Sequence, residues 1–226
     1  MIEGILPSDQ SLPKKARQVL AAAKTVFLRD GYDLASMDAI ASEAGVSKGT
    51  LYGHFPGKEQ LFTAVVLAEC RRHSELLDRT ATEGTPIDET LLEFGLNHIN
   101  FLLRQDALAI LRVAISGAPR FPEVARRVYD VGLVQGRKIL AGVIAEAVQQ
   151  GLLRVPDADR AAELFLSMTT GFAHLRGLLG IEAAYDDAEV RDYVRAGVEV
   201  FVAKFAAKLT PAVASGYRRN GPSVDR

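Results

Sequence analysis

The segment GVSKGTLYGHF, residues 45–55, decides how the chain is read. Three glycines and five hydrogen-bonding side chains (Ser47, Lys48, Thr50, Tyr52 and His54) surround only a few apolar residues. A loop accounts for the glycines alone, and an active site for the histidine alone. A short helix offered to a phosphate backbone accounts for all of them. Immediately upstream, SMDAIASEA (36–44) predicts another short helix, capped by Ser36. Ser47 caps the second, which runs to about Phe55 before Pro56 and Gly57 stop it. Gly45 supplies the positive φ of a sharp turn between them, and Val46 plugs the space the turn leaves. Ile40, Ala44, Leu51 and Phe55 face inward, and Ala41 is small enough to let the helices close up. The pattern is that of a helix-turn-helix, whose second helix enters the major groove of double-stranded DNA by its N-terminal residues.

That reading gives the donors a purpose. Ser47, Lys48, Gly49 and Thr50 form the first turn of the second helix, where free N–H groups and the helix dipole favour phosphate. Gly49 permits close approach, Tyr52 and His54 reach out as longer donors, and Lys58 opens the next helix. Ser36, at the start of the first helix, completes the expected DNA-binding set. Most such contacts set position, and Lys48 and Thr50 are the candidates for base edges.

Outward from this unit the apolar periodicity is helical throughout, and no alternating strand is found. Residues 14–30 place Val19, Ala22, Ala23, Val26 and Phe27 on one face, with Gly31 ending the helix. A helix is expected from Lys58 to about Thr80. The break ATEGTP (81–86) follows, then a helix from a Thr85, Pro86, Asp88 start to about Arg104. Further helices are expected at about 107–116, after SGAPRFP to Gln150, at about 158–179 and at about 187–208. The fold class is therefore all-α. The division is a tail at 1–12, a helix-turn-helix domain at 13–57, a larger helical domain at 58–209 and a second tail at 210–226, with both tails expected to be mobile. Residues 58–80 form the connecting helix of the larger domain.

Composition narrows the function. The formal net charge of the 226-residue chain is −1, which disfavours a protein that coats DNA by bulk charge. Between residues 13 and 60, seven Lys or Arg stand against five acids, a net of +2. A lone cysteine, Cys70, offers neither a disulfide nor a metal cluster. No metalloprotease or phosphate-loop motif appears, so no catalytic residue, cofactor or metal is expected. His73, His98 and His174 stand far apart in sequence, each expected to be an ordinary surface or core histidine. MIEGILPSDQ has neither a basic start nor an apolar core, so no signal peptide is expected. No apolar run approaches the ~20 residues of a membrane span. A cytoplasmic location is expected.

Around the helix-turn-helix, AAAKTVFLRDGYDLASMDAIASEAGVSKGTLYGHFPGKEQLF (21–62) lies in a stretch, residues 16–62, that resembles the DNA-binding domain of TetR-type transcriptional regulators. Phe27, Gly31, Tyr32, Ile40, Gly45, Ser47, Tyr52, Phe55, Lys58 and Leu61 carry the match. The resemblance implies a helical homodimer of about nine helices per chain, with a three-helix DNA-binding domain and a ligand-controlled C-terminal domain. It also matches Tyr52, His54 and Lys58 to positions that usually hold the DNA backbone. ILRVAISGAPRFPEVARRVYDVG (110–132) is similar to the C-terminal domain of AefR-like members. Gly53 departs from the pattern, since larger residues are common there.

The implied function is a ligand-responsive regulator, with repression the expected sense and a small, largely apolar effector. Phe94, Asn97, His98, Phe101, Arg112, Tyr129, Met168 and Phe172 are the candidate ligand-binding residues, mixing aromatic walls with a few polar groups. The last two helices carry more apolar surface than one protomer easily buries. They are expected to form the homodimer interface, with Phe201 in its seam.

Overall fold

The computed structural model describes residues 12–77, 84–181 and 186–207. The expected tails, apart from Leu12, fall outside these residues, as do residues 81–83 of the expected break and the final turn of the helix expected over 58–80. Ten α-helices make up the described fold: α1 (Lys14–Leu34), α2 (Met37–Ala44), α3 (Lys48–His54), α4 (Lys58–Leu77), α5 (Ile87–Leu102), α6 (Gln105–Gly117), α7 (Pro122–Tyr129), α8 (Gln135–Gln149), α9 (Ala158–Leu178) and α10 (Asp187–Phe205). Pairing between extended residues is limited, among those described, to one isolated antiparallel bridge, Leu153 with Ala206.

The expected inward residues form the core of the N-terminal unit. Val19, Ala22, Ala23, Val26 and Phe27 of α1 are buried with Ile40, Ala41, Ala44, Leu51 and Phe55. Gly45 adopts φ 61, closing α2 with its N–H on the Ala41 and Ser42 carbonyls. Gly31 breaks α1 as expected, but the chain resumes helical turns to Leu34, so that Tyr32 turns inward. There it meets Phe27, Phe62 and Phe121, with the Phe121 ring edge-on at 4.8 Å.

Buried residues fall into two clusters that do not follow the expected division at residue 58. The first joins α1–α3 to most of α4 and takes Ile110, Ala114 and Val124 from α6 and α7. The second is built by α5, α8, α9 and α10, and Leu77 of α4 is buried in it. Helix α4 thus runs from one cluster into the other.

Four local readings are corrected. Pro86, not Thr85, flanks α5 on its N-terminal side, without a side-chain cap. The helix expected up to Gln150 contains a π-helical turn at Asp130–Val134, which divides it into α7 and α8. Helix α9 kinks at Gly171 (φ 45, ψ −146). A Cβ there would lie 1.9 Å from the Tyr193 hydroxyl, so only glycine fits. Finally, Phe201 is 1% exposed and packs edge-on against Phe165 at 5.4 Å within its own protomer. It belongs to the internal core and cannot form a seam between protomers.

Candidate DNA interface and ligand cavity

The two serines expected as caps perform that role. Ser36 Oγ accepts from the Ala39 N–H and Ser47 Oγ from the Thr50 N–H, each at 3.1 Å. With Leu51 and Phe55 buried one turn apart, the opposite face of α3 is left to solvent. Ser47, Lys48, Gly49, Tyr52 and His54 are exposed on it, and Thr50 is half-buried. Added Cβ atoms at Gly49 and Gly53 would meet nothing closer than 3.9 Å, so internal packing requires neither glycine.

The cations on this surface are engaged. Lys48 Nζ lies 2.7 Å from Asp38 Oδ2 on α2, and the carboxylate raises the lysine's pKa. Lys58, expected to face phosphate, donates to the Tyr32 and Asp33 carbonyls at 2.7 and 3.1 Å and sits 4.7 Å over the Tyr32 ring. In this state it closes the end of α1, where free carbonyls gather and a cation is favoured.

Helix α4 leads from Lys58 to a partly open cavity of about 80 Å³, lined by α4–α7, the π-helical turn and α9. Its walls include Val66, Cys70, Phe101, Leu102, Ile110 and Leu133. Its polar groups are Glu69, His73, His98 and His174. A more open pocket of about 240 Å³ shares His98, Leu102, Leu133 and His174 with it and extends to Tyr129, Arg137, Glu163 and Ser167. Between them the two pockets form a polar mouth and an apolar interior.

The expected ligand set is only partly brought together. His98 and Phe101 line the inner cavity, and His98 and Tyr129 the outer pocket. Asn97 lies about 100° around α5 from His98 and lines a separate groove beside the start of α10. Phe94 is fully buried in the second cluster, and Met168 packs against that cluster. Arg112 donates to the Leu178 and Gly177 carbonyls, tying α6 to the end of α9. Phe172 is turned outward just beyond the Gly171 kink and is 76% exposed.

Sequence reasoning missed three features. The three histidines, separated by 25 residues and more, converge on one cavity. Gly132 and Leu133 of the π-helical turn form part of its wall, with no local signal beyond a glycine in DVGLV. Glu69 joins the cavity to the DNA-binding unit. It lies 2.9 Å from Lys24 of α1, and Lys24 also meets Asp106 of α6 at 2.7 Å. Arg104 bonds Asp106 as well. Burial pushes the Asp106 carboxyl upward, but the bonds from Lys24 and Arg104 outweigh it and hold the group at about 2. Cys70 is half-buried beside Glu69, and desolvation pushes its thiol up to about 12, away from the range of a reactive thiolate.

Residues 19–65 match the family model described as bacterial regulatory proteins, tetR family, and residues 89–207 match that of the AefR-like transcriptional repressor, C-terminal domain. The chain is 34% identical over 187 residues to the HTH-type transcriptional regulator YfiR of Bacillus subtilis (strain 168), covering 79% of this chain and 84% of that one. Among solved structures, a TetR-family regulator from Mesorhizobium loti MAFF303099 superposes with a TM-score of 0.80 at 28% identity, covering 85% of this chain and 97% of its own. The Flavonoid-responsive Regulator FrrA superposes with a TM-score of 0.73 at 31% identity, covering 87% and 99%.

Proposed function

The chain belongs to the TetR family of DNA-binding transcriptional regulators, and from that premise we propose that it is a repressor released from its operator by a small, largely apolar effector. The repressor sense follows the description of the AefR-like C-terminal model. The observation that carries ligand control is the course of α4, which begins beside the exposed face of α3 and forms one wall of the cavity through Val66, Glu69, Cys70 and His73. A ligand that moves this wall acts on Glu69, and through Lys24 on α1 of the DNA-binding unit. Release is then limited to the ligand's differential affinity for the two arrangements. FrrA, by its name, responds to flavonoids, which fits a mainly apolar wall.

Members of the family dimerise, and we assign the interface to the outer faces of α9 and α10. Leu164, Phe172, Leu175 and Leu179 are exposed on the first, and Tyr193, Ala196, Val200 and Ala203 form an exposed stripe on the second. A two-fold four-helix bundle would cover them. The DNA partner lies in the cytoplasm, where the regulator acts.

The test is fluorescence anisotropy on the DNA upstream of the protein's own gene, with and without a panel of apolar aromatic compounds. Specific binding that Tyr52→Ala weakens on all sequences alike, and that a bound compound reverses, is expected. Compounds that bind the protein yet leave operator affinity unchanged would overturn ligand control.

A further inference from the structure

Of the polar atoms around the inner cavity, the histidine pair is distinctive. His73 Nε2 and His98 Nδ1 are 3.0 Å apart, so one proton is shared between them. The His73 ring stacks on Phe101 at 4.0 Å and 7°. Its other nitrogen, Nδ1, is buried without a hydrogen-bond partner among the described residues. Buried polar atoms are rarely left so, and an orphan beside a cavity points to a group that completes it. We propose that His73, backed by His98 and His174, is the polar anchor of the cavity and selects a neutral hydroxyl, phenolic or alcoholic, on an otherwise apolar molecule. The proposal rests on the effector reading above and names the chemistry of that effector.

The shared proton decides which ligand groups fit. If His73 Nε2–H donates to His98, then His73 Nδ1 is an acceptor. If His98 Nδ1–H donates instead, His73 Nδ1 carries the proton and is a donor. A hydroxyl both donates and accepts, so it satisfies either tautomer. A carboxylate meets no cation in this group, because burial keeps both rings neutral, His73 at about 4 and His98 at about 3. It would also face the Glu69 carboxylate on the same wall. A ligand ammonium finds that carboxylate already in contact with Lys24, Arg72 and Arg104 at 2.9, 3.5 and 3.7 Å. The cavity of about 80 Å³ is small beside typical ligand pockets of roughly 300–1,000 Å³. The ligand must therefore spread Leu133 and His174 toward the outer pocket, which shares those residues.

Four probes of one shape test this: para-phenylphenol, biphenyl, para-phenylbenzoate and para-phenylbenzylammonium. Their affinities are measured by titration calorimetry, alongside ¹⁵N spectra of histidine-labelled protein. The phenol should bind roughly tenfold more tightly than biphenyl, the gain of one hydrogen bond to a buried group. The two ions should bind more weakly than biphenyl, and only the phenol should shift the His73 Nδ1 resonance. In His73→Phe the preference for the phenol should vanish. If that variant does not fold, the wild-type resonance decides. Equal binding of phenol and biphenyl, a preferred carboxylate or an unmoved resonance would overturn the anchor while leaving the effector reading intact. A preferred phenol that leaves operator affinity unchanged would support the anchor and sink the effector reading. Failure of all four to bind would sink both.

Discussion

Lys48 and Asp38 show how single residues set the balance of the DNA-facing surface. Their 2.7 Å pair is exposed and holds Lys48 against α2. Phosphate has to compete with Asp38 for the ammonium, and the carboxylate itself repels the backbone. Asp38→Asn should therefore raise operator affinity at low salt by roughly threefold to tenfold, an advantage that shrinks as salt is added. Loss of the acidic first turn of α2 should lower stability only slightly. Anisotropy titrations at two salt concentrations check this, and unchanged affinity at both would show that Lys48 stays clear of phosphate. The buried histidines make the second residue-scale case. In the unfolded chain they take up protons near pH 6.5, but the native rings resist until about 4 and 3 because of burial. The unfolded state thus binds more protons throughout that window, and stability falls as pH falls through it. A loss on the order of 2–4 kcal/mol for the pair is expected by pH 5, measured from urea midpoints at pH 7 and 5. Imidazole resonances of His73 and His98 that titrate near 6.5 would refute the account.

At the scale of elements, the sequence was most legible where local chemistry decides the outcome. Ser36, Gly45 and Ser47 fix the boundaries of α2 and α3 through caps and a positive φ, all within a few residues, and the structure follows them closely. The π-helical turn at Asp130–Val134 and the kink at Gly171 escaped because neither carries a local signal beyond a glycine. Gly171 reads as an ordinary helical glycine until Tyr193 of α10 arrives over it. Gly171→Ala combines a strained backbone with a collision at the tyrosine ring, so a loss of about 1–3 kcal/mol is expected. Paired with Tyr193→Phe, which removes the nearest atom, part of that loss should return. Thermal melts that show no change in Gly171→Ala would mean that α9 can straighten freely. The cavity was legible only in outline, since helix phase around α5 and α6, not residue type, separates His98 and Phe101 from Asn97 and Arg112. Lys24 illustrates the same limit, for its link to Glu69 spans 45 positions. Lys24→Met should leave binding of an apolar ligand within about twofold yet reduce ligand-driven operator release severalfold, as coupling energies of roughly 1–3 kcal/mol allow. Full release in that variant would remove α1 from the path of coupling.

Across the whole molecule, the two buried clusters explain why self-association and folding can be separated by mutation. The second cluster is filled without a partner, since Phe165, Val194, Val198 and Phe201 enter it from the inner faces of α9 and α10. The apolar residues left outside, Phe172 and Val200 among them, are exposed in the protomer. An aspartate at either position remains hydrated in a monomer but would be stripped of water inside an apolar bundle, at a cost of several kcal/mol. Phe172→Asp and Val200→Asp should each keep the helical circular dichroism of the wild type while weakening self-association by roughly a hundredfold or more. Phe201→Asp should unfold the second cluster instead, because the charge enters the protomer's own core. Operator binding should fall with self-association, since a single recognition helix reaches only one half-site and near-palindromic operators match the two-fold axis of a dimer. Sedimentation equilibrium and anisotropy on full and half-site DNA measure both consequences together. Dimers that persist in both exposed-face variants would move the interface away from α9 and α10. Monomers that still hold the full operator as tightly as the wild type would break the link between the two-fold axis and DNA recognition.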